Sequence, residues 1–365
     1  VPAPLPSRFG FGTSGIMGAA LTRSGRLRLL ETALDHGIHH FDTAPLYGQG
    51  EAEALLGHFV RSRRDRLTLT TKFGLLPPQR PALLRPLLPV ARVLNRRLWI
   101  PWRQRAAAHS TAAAAAASPW DDHPAPPTPD LPCAEARTEA RAEAKAMGSA
   151  REAAAARPAE PPIPYTPANL RQQLERSLRA LQSECIDYYL LHECQPSYLN
   201  DDLLACLEAL VQEGKIRHYG LGGERGPCRQ ILEADPGRRW IVQIPDRWHD
   251  RGSDWFARHA RPPLFTHSAL RLGLADGDGA AQRLRQRWAE LNQQDPEHPG
   301  LLAELLLAIA LGRNPHGCVI FSSRHASHIR ANADLPARAA RLAPALEQLL
   351  REMGGEPLRP PALAG

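Results

Sequence analysis

From Thr166 to Leu221 the chain reads TPANLRQQLERSLRALQSECIDYYLLHECQPSYLNDDLLACLEALVQEGKIRHYGL. Thr166 is a residue type that caps a helix, and Pro167 suits the first helical position, where its missing N–H costs nothing. Leucines follow at helical spacing as far as Leu181. Ile186–Leu191 is then a short continuous apolar run, the pattern of a buried strand. The alternation repeats at once, with a helix over Leu203–Gln212 and a strand over Ile216–Leu221. Strands separated by helices of this length imply a parallel sheet, open or closed.

The same rhythm extends in both directions. Upstream, Arg26–His36 has helical spacing and ends at Gly37, a residue suited to closing a helix. Ile38–Thr43 follows as a strand, Glu51–Phe59 as a helix and Leu67–Phe73 as a strand. Downstream come helix Pro227–Ala234, strands Trp240–Ile244 and Leu264–Ser268, helix Leu301–Leu311, strand Cys318–Ser322 and helices through Ala326–Met353. One stretch breaks the rhythm, residues 75–164. Leu83–Arg105 is apolar and arginine-rich, and Ala106–Pro161 is rich in alanine and proline with little variety, a composition that predicts disorder. We expect a single domain over 1–365 that carries 75–164 as an insertion, because continuous alternation runs on both sides of it. Leu83–Arg105 is basic and apolar enough for a lid, a surface contact or inert filler.

Composition narrows the class. The chain has 365 residues, 43% hydrophobic, and a formal net charge of +7, enough to bury a full core. Nearly all its basic residues are arginines, the lysines being Lys72, Lys145 and Lys215, and no nucleic-acid module accompanies the charge. We therefore expect no nucleic-acid partner. The cysteines Cys133, Cys185, Cys194, Cys206, Cys228 and Cys318 are scattered and lack metal-binding spacing, so no metal is expected. No signal-like start or membrane-spanning apolar run is present, which predicts a cytoplasmic protein without an integral membrane segment. The glycines of Gly220-Leu221-Gly222-Gly223-Glu224-Arg225 lack the third glycine of a dinucleotide fingerprint and read better as a strand-end turn.

Four polar residues fall at or just beyond the C-terminal ends of predicted strands: Asp42, Tyr47, Lys72 and His192. In a closed barrel, that end gathers side chains at one mouth. Taken singly, each has an ordinary structural reading, as a cap, a core-edge ring, a solvated cation or a buried histidine. Together they make chemical sense. A lysine there needs a counter-charge, and Asp42 supplies it. A nearby ammonium lowers the phenol's pKa, so Tyr47 can donate a proton to a carbonyl oxygen that His192 also holds.

Phe41-Asp42-Thr43-Ala44-Pro45-Leu46-Tyr47-Gly48, followed by Glu51-Ala52-Glu53-Ala54-Leu55-Leu56-Gly57, resembles the signature of the aldo-keto reductases. Thr71-Lys72-Phe73-Gly74, Ile186–His192 and Gly214–Gly220 resemble the family's next blocks, in the family's order. The resemblance covers the chain except the insertion. It implies a (β/α)8 TIM barrel with a long insertion after the third strand, and a catalytic tetrad of Asp42, Tyr47, Lys72 and His192. It also implies a nicotinamide cofactor, NADP(H) rather than NAD(H), and a small-molecule carbonyl substrate.

The cofactor side departs further from the family pattern. Gly222-Gly223 stand where the family usually has Ser-Asn. Gln243 matches the glutamine that holds the nicotinamide amide, His267 stands in for a stacking tyrosine, and Ser268 matches a serine near the pyrophosphate. Ser322, Ser323, Arg324, His328 and Asn332 resemble the loop that takes the adenosine phosphate. Arg324 would meet the phosphate that distinguishes NADP from NAD. A partner-binding barrel that keeps the cofactor site without turnover, and a dehydrogenase running in the reverse direction, stay open at this level.

Overall fold

The computed structural model describes residues 5–17, 21–77, 163–248, 252–271, 277–298 and 300–352. Its strands are β1 (Phe9–Gly12), β2 (His40–Asp42), β3 (Thr68–Phe73), β4 (Ile186–His192), β5 (Ile216–Gly222), β6 (Ile241–Pro245), β7 (Phe265–His267) and β8 (Cys318–Phe321). Each pairs in parallel with the next, and β8 pairs with β1, so the sheet closes into a barrel. The helices are α1 (Arg23–Asp35), α2 (Glu51–Val60), α3 (Pro167–Leu181), α4 (Asp201–Gln212), α5 (Arg225–Ala234), α6 (Ser253–His259), α7 (Gly277–Asn292), α8 (Leu301–Arg313), α9 (Ala326–Ala333) and α10 (Leu335–Glu352).

The helices form for local reasons and are fixed by the sheet. Thr166 Oγ1 accepts from the Asn169 N–H at 3.3 Å and opens α3. Leu170, Leu174, Leu178 and Leu181 form its buried stripe, each side chain worth about 1.5–3 kcal/mol in burial. Asn200 Oδ1 caps α4 in the same way, accepting from the Leu203 N–H at 2.9 Å. Gly57 of α2 lies so close to α3 that a Cβ there would overlap the Ala180 carbonyl. Any larger residue would push the two helices apart.

β1, Phe9-Gly10-Phe11-Gly12, has glycine at alternate positions, and the structure gives the reason. Phe9 and Phe11 point outward into the core, where both rings meet Phe321 edge-on at 5.1 and 6.1 Å. The alternating position Gly10 has no side chain because His40 fills the barrel there; a Cβ on Gly10 would come within 2.7 Å of His40 Cδ2. The floor of the barrel is packed rather than hollow. His40 stacks on Phe265 at 4.8 Å, Tyr188 meets Phe265 edge-on, and His40 Nδ1 lies 2.9 Å from Thr68 Oγ1.

Helices α6 and α7 are additions to the sequence reading, and the helical run expected over Ala326–Met353 divides into α9 and α10. The stretch 75–164 leaves after β3 and rejoins before α3, and its residues 78–162 lie outside the described ones. The expected lid or surface role of Leu83–Arg105 and the disorder expected for Ala106–Pro161 therefore fall outside them as well. Among the described residues, no helix is long and apolar enough to cross a membrane, and no cluster of His, Cys, Asp and Glu has metal-binding geometry.

Candidate active site

The C-terminal ends of the strands open onto a cavity of about 400 Å3. Asp42 closes β2, Lys72 lies one residue before the end of β3, and His192 closes β4. Tyr47 arrives from the turn after β2, where Gly48, Gln49 and Gly50 successively adopt left-handed backbone angles of φ 61°, 64° and 90°. Gly48 also packs against the Met17 side chain, in space a Cβ would need. This turn swings the Tyr47 ring back over the barrel mouth.

All four residues line the one cavity. Lys72 Nζ donates to Asp42 Oδ1 at 2.7 Å and to the Thr43 carbonyl at 2.9 Å. Both charged side chains are almost wholly buried. Burial alone would push the Lys72 ammonium down, but the Asp42 carboxylate and the Tyr47 phenol outweigh it and leave its pKa raised. Lys72 Nζ lies 5.0 Å from the centre of the Tyr47 ring, and that ring stands edge-on to His192 at 6.2 Å. Tyr165 donates to the His192 carbonyl at 2.9 Å, which steadies the end of β4.

One electrostatic expectation needs correction. Lys72 does pull the phenol's pKa down, but desolvation of Tyr47 is the larger effect, and the net pKa is raised. Tyr47 is therefore a firmly protonated phenol at neutral pH. Burial, reinforced by Lys72 and His267, lowers the pKa of His192 to about 3, so its imidazole is neutral. Its Nδ1 is buried without a partner.

The opposite wall carries Gln243 on β6, His267 at the end of β7, Ser268 beyond it and Ser322 just past β8, all lining the cavity. Gln243 is 3% exposed and its Oε1 has no hydrogen-bond partner; Ser322 Oγ is likewise buried and unpartnered. A buried acceptor without a donor is costly in isolation, and an amide N–H in the cavity would satisfy it. His267 Nδ1 lies 2.8 Å from Ser268 Oγ, and burial, with Lys72 and nearby arginines, lowers its pKa to about 3. This leaves a flat neutral ring on the wall. The donor set thus fits a nicotinamide group.

Ser323, Arg324, His328 and Asn332 lie beyond the cavity lining. Ser323 Oγ accepts from the His325 N–H at 3.2 Å, at the start of α9. The Asn332 amide donates to the His328 carbonyl at 2.8 Å, so it is engaged within α9. His328 is exposed beside His325. Arg324 is exposed and makes no ion pair among the described residues.

Two further charged residues, Glu193 and Arg271, line the cavity without having been singled out in the sequence. Glu193 has a left-handed backbone, φ 53°, directly after His192. The residue as a whole is exposed, but its carboxylate turns in against Gly223 and accepts from the Glu224 N–H at 3.3 Å. Desolvation there lifts its pKa. A Cβ at Gly223 would come within 2.9 Å of that carboxylate. The Gly222-Gly223 pair thus makes room for an acid from the neighbouring strand end, a pairing visible only once β4 and β5 lie side by side. Arg271 stands in the turn after β7, its N–H bonded to the Ser268 carbonyl.

A curated relative, pyridoxal 4-dehydrogenase of Microbacterium luteolum, is 42% identical over 69 residues, which span 18% of this chain and 20% of that protein. Solved structures agree over nearly the whole length. The glycerol dehydrogenase of Gluconobacter oxydans matches with a TM-score of 0.58 at 17% identity, covering 100% of this chain and 97% of its own. An aldo/keto reductase of Klebsiella pneumoniae, solved with NADP and acetate, matches with a TM-score of 0.56 at 21% identity, covering 98% and 93%. The family model for aldo/keto reductases matches residues 8–88 and 136–241, the segments that supply Asp42, Tyr47, Lys72 and His192, and the chain belongs to the aldo/keto reductase family.

Proposed function

We propose that the protein is a nicotinamide-dependent oxidoreductase that reduces aldehydes or ketones to alcohols, with Tyr47 as the proton donor. The observation that carries this reading is the buried Lys72–Asp42 pair at 2.7 Å, with the Tyr47 ring and His192 in the same cavity. A partner-binding barrel has no physical need for a desolvated ion pair beside a phenol, because such a pair contributes little to stability by itself.

The cofactor would be held by Gln243 and His267 at its nicotinamide, by Ser268 near its pyrophosphate and by Ser322 toward its adenosine phosphate. Bound there, it supplies the hydride received by the carbonyl carbon. Tyr47 starts protonated and transfers its proton to the carbonyl oxygen as negative charge develops on that atom. The phenolate left behind faces the Lys72 ammonium, whose attraction grows at that moment and so favours the transition state over the ground state. Asp42 keeps Lys72 charged and aimed. His192, neutral at working pH, hydrogen-bonds the same oxygen and sets the substrate's orientation. The same groups serve the reverse direction, from alcohol to carbonyl. Exposed Arg324 favours NADP(H) over NAD(H).

The test is turnover of an aromatic aldehyde with NADPH, followed by nicotinamide absorbance, in wild type and Tyr47→Phe. The variant should lose roughly 10²–10⁴-fold in kcat, while NADPH binding measured by fluorescence barely changes. Wild-type turnover in the variant would overturn the proton-donor role. No turnover by wild type on a broad panel of carbonyls and alcohols, with NADPH still bound, would favour the binding-module reading.

A further inference from the structure

A second cavity, of about 340 Å3, lies at the other end of the barrel. Arg217 and His218 come from the start of β5, Arg239 from just before β6, and Arg261 from the approach to β7. Arg238 and Glu208 complete its charged lining. Four guanidinium groups thus share one hollow with a single carboxylate.

The nearby carboxylates are already engaged. Glu208 pairs with Arg238, whose Nε also holds Asp235 at 3.0 Å and whose Nη1 donates to the Tyr219 hydroxyl at 2.7 Å. Asp187, buried behind the cavity, sits 2.7 Å from Arg64 and 3.1 Å from Arg217. Arg239 and Arg261 are exposed and make no ion pair among the described residues. His218 packs against Tyr188 at 5.4 Å, and its Nδ1 is buried with no hydrogen-bond partner. Burial, Arg261 and Arg217, in that order, lower its pKa, so Arg261 is close enough to act on the ring.

Concentrating arginines in a concave site raises the local positive potential, and the guanidinium fork matches the oxygens of a phosphate bidentately. A barrel needs none of this for packing. We propose that this cavity is a binding site for a small phosphate-bearing anion, gripped by Arg239 and Arg261 beside the His218 ring. The site is separate from the substrate cavity and independent of the reaction assigned to it. A bound dianion would offset the two arginines that now disfavour a proton on His218, so binding and protonation of that ring are coupled.

Isothermal titration of the full chain with inorganic pyrophosphate at low salt provides the test. Arg239→Ser/Arg261→Ser should lose at least tenfold in affinity, the size of one charge-assisted contact. Both side chains are exposed, so the fold survives, which circular dichroism checks. Saturating NADPH, which fills the site at the opposite end, should leave that affinity unchanged. The His218 ring resonances should show a raised pKa on saturation with pyrophosphate. Equal affinity in wild type and Arg239→Ser/Arg261→Ser would overturn the proposal. So would loss of pyrophosphate binding on saturation with NADPH, which would place the anion in the substrate cavity, or binding that tracks ionic strength alone for chloride and pyrophosphate alike.

Discussion

On the cavity wall built by β2, β3 and β4, Lys72 reaches Asp42 at 2.7 Å and the Thr43 carbonyl at 2.9 Å. On the wall built by β6, β7 and β8, Gln243 Oε1 and Ser322 Oγ are buried with no partner. The first wall answers its own charge, although the neutral His192 Nδ1 on it also lacks a partner. The second is complete only when something in the cavity donates to it. Two arcs of one barrel thus differ: the Lys72–Asp42 pair is satisfied within the protein, whereas Gln243 Oε1 and Ser322 Oγ are left for a partner in the cavity.

The largest break in this comparison comes from the first wall. Lys72→Met should remove activity and destabilise the fold by about 3–5 kcal/mol, because it leaves the Asp42 carboxylate buried and uncompensated. Adding Asp42→Leu should recover much of that stability in urea unfolding while activity stays lost. A double variant no more stable than the single one would mean that the pair is not mutually compensating.

The loop past β8, beyond the second wall, should respond in affinity rather than stability. Arg324→Ala should weaken NADPH binding roughly ten- to a hundredfold and leave NADH binding nearly unchanged, since only NADPH carries the extra phosphate. Titrating both cofactors decides it. Equal losses for the two, or no loss, would remove Arg324 from cofactor choice.

A pH-dependent effect comes from the barrel floor, beneath both walls. Burial, and then Lys72, lowers the pKa of His40 from 6.5 to about 3. The unfolded chain takes up a proton on this residue near pH 6.5, whereas the folded chain resists until about pH 3. Stability therefore falls as pH drops through that window, by roughly 1.4 kcal/mol per pH unit for each such group. His40→Gln should flatten the pH dependence of urea unfolding by about one proton below pH 6.5, with His192, His218 and His267, also lowered, still contributing. An unchanged slope would show that His40 titrates alike in both states.

Sequence by itself determined the elements whose signals are local. Thr166 and Pro167 open α3 where the residue types require, the leucine spacing carries it to Leu181, and the apolar run from Ile186 is β4. Asp42, Tyr47, Lys72 and His192 were legible because strand ends and motif order mark them without any knowledge of distance. Strand–helix alternation left the sheet open or closed, the family resemblance implied closure, and the pairing of β8 with β1 across the whole chain shows it. Tertiary structure alone decided β1 itself, whose glycine at position 10 makes sense only against the His40 side chain it accommodates. The same holds for Glu193 beside Gly223, for the balance in which burial outweighs Lys72 at Tyr47, and for the convergence of Arg217, Arg239 and Arg261 on one hollow. Period and capping are written residue by residue, whereas desolvation and electrostatic potential are sums over neighbours that only the folded chain brings together.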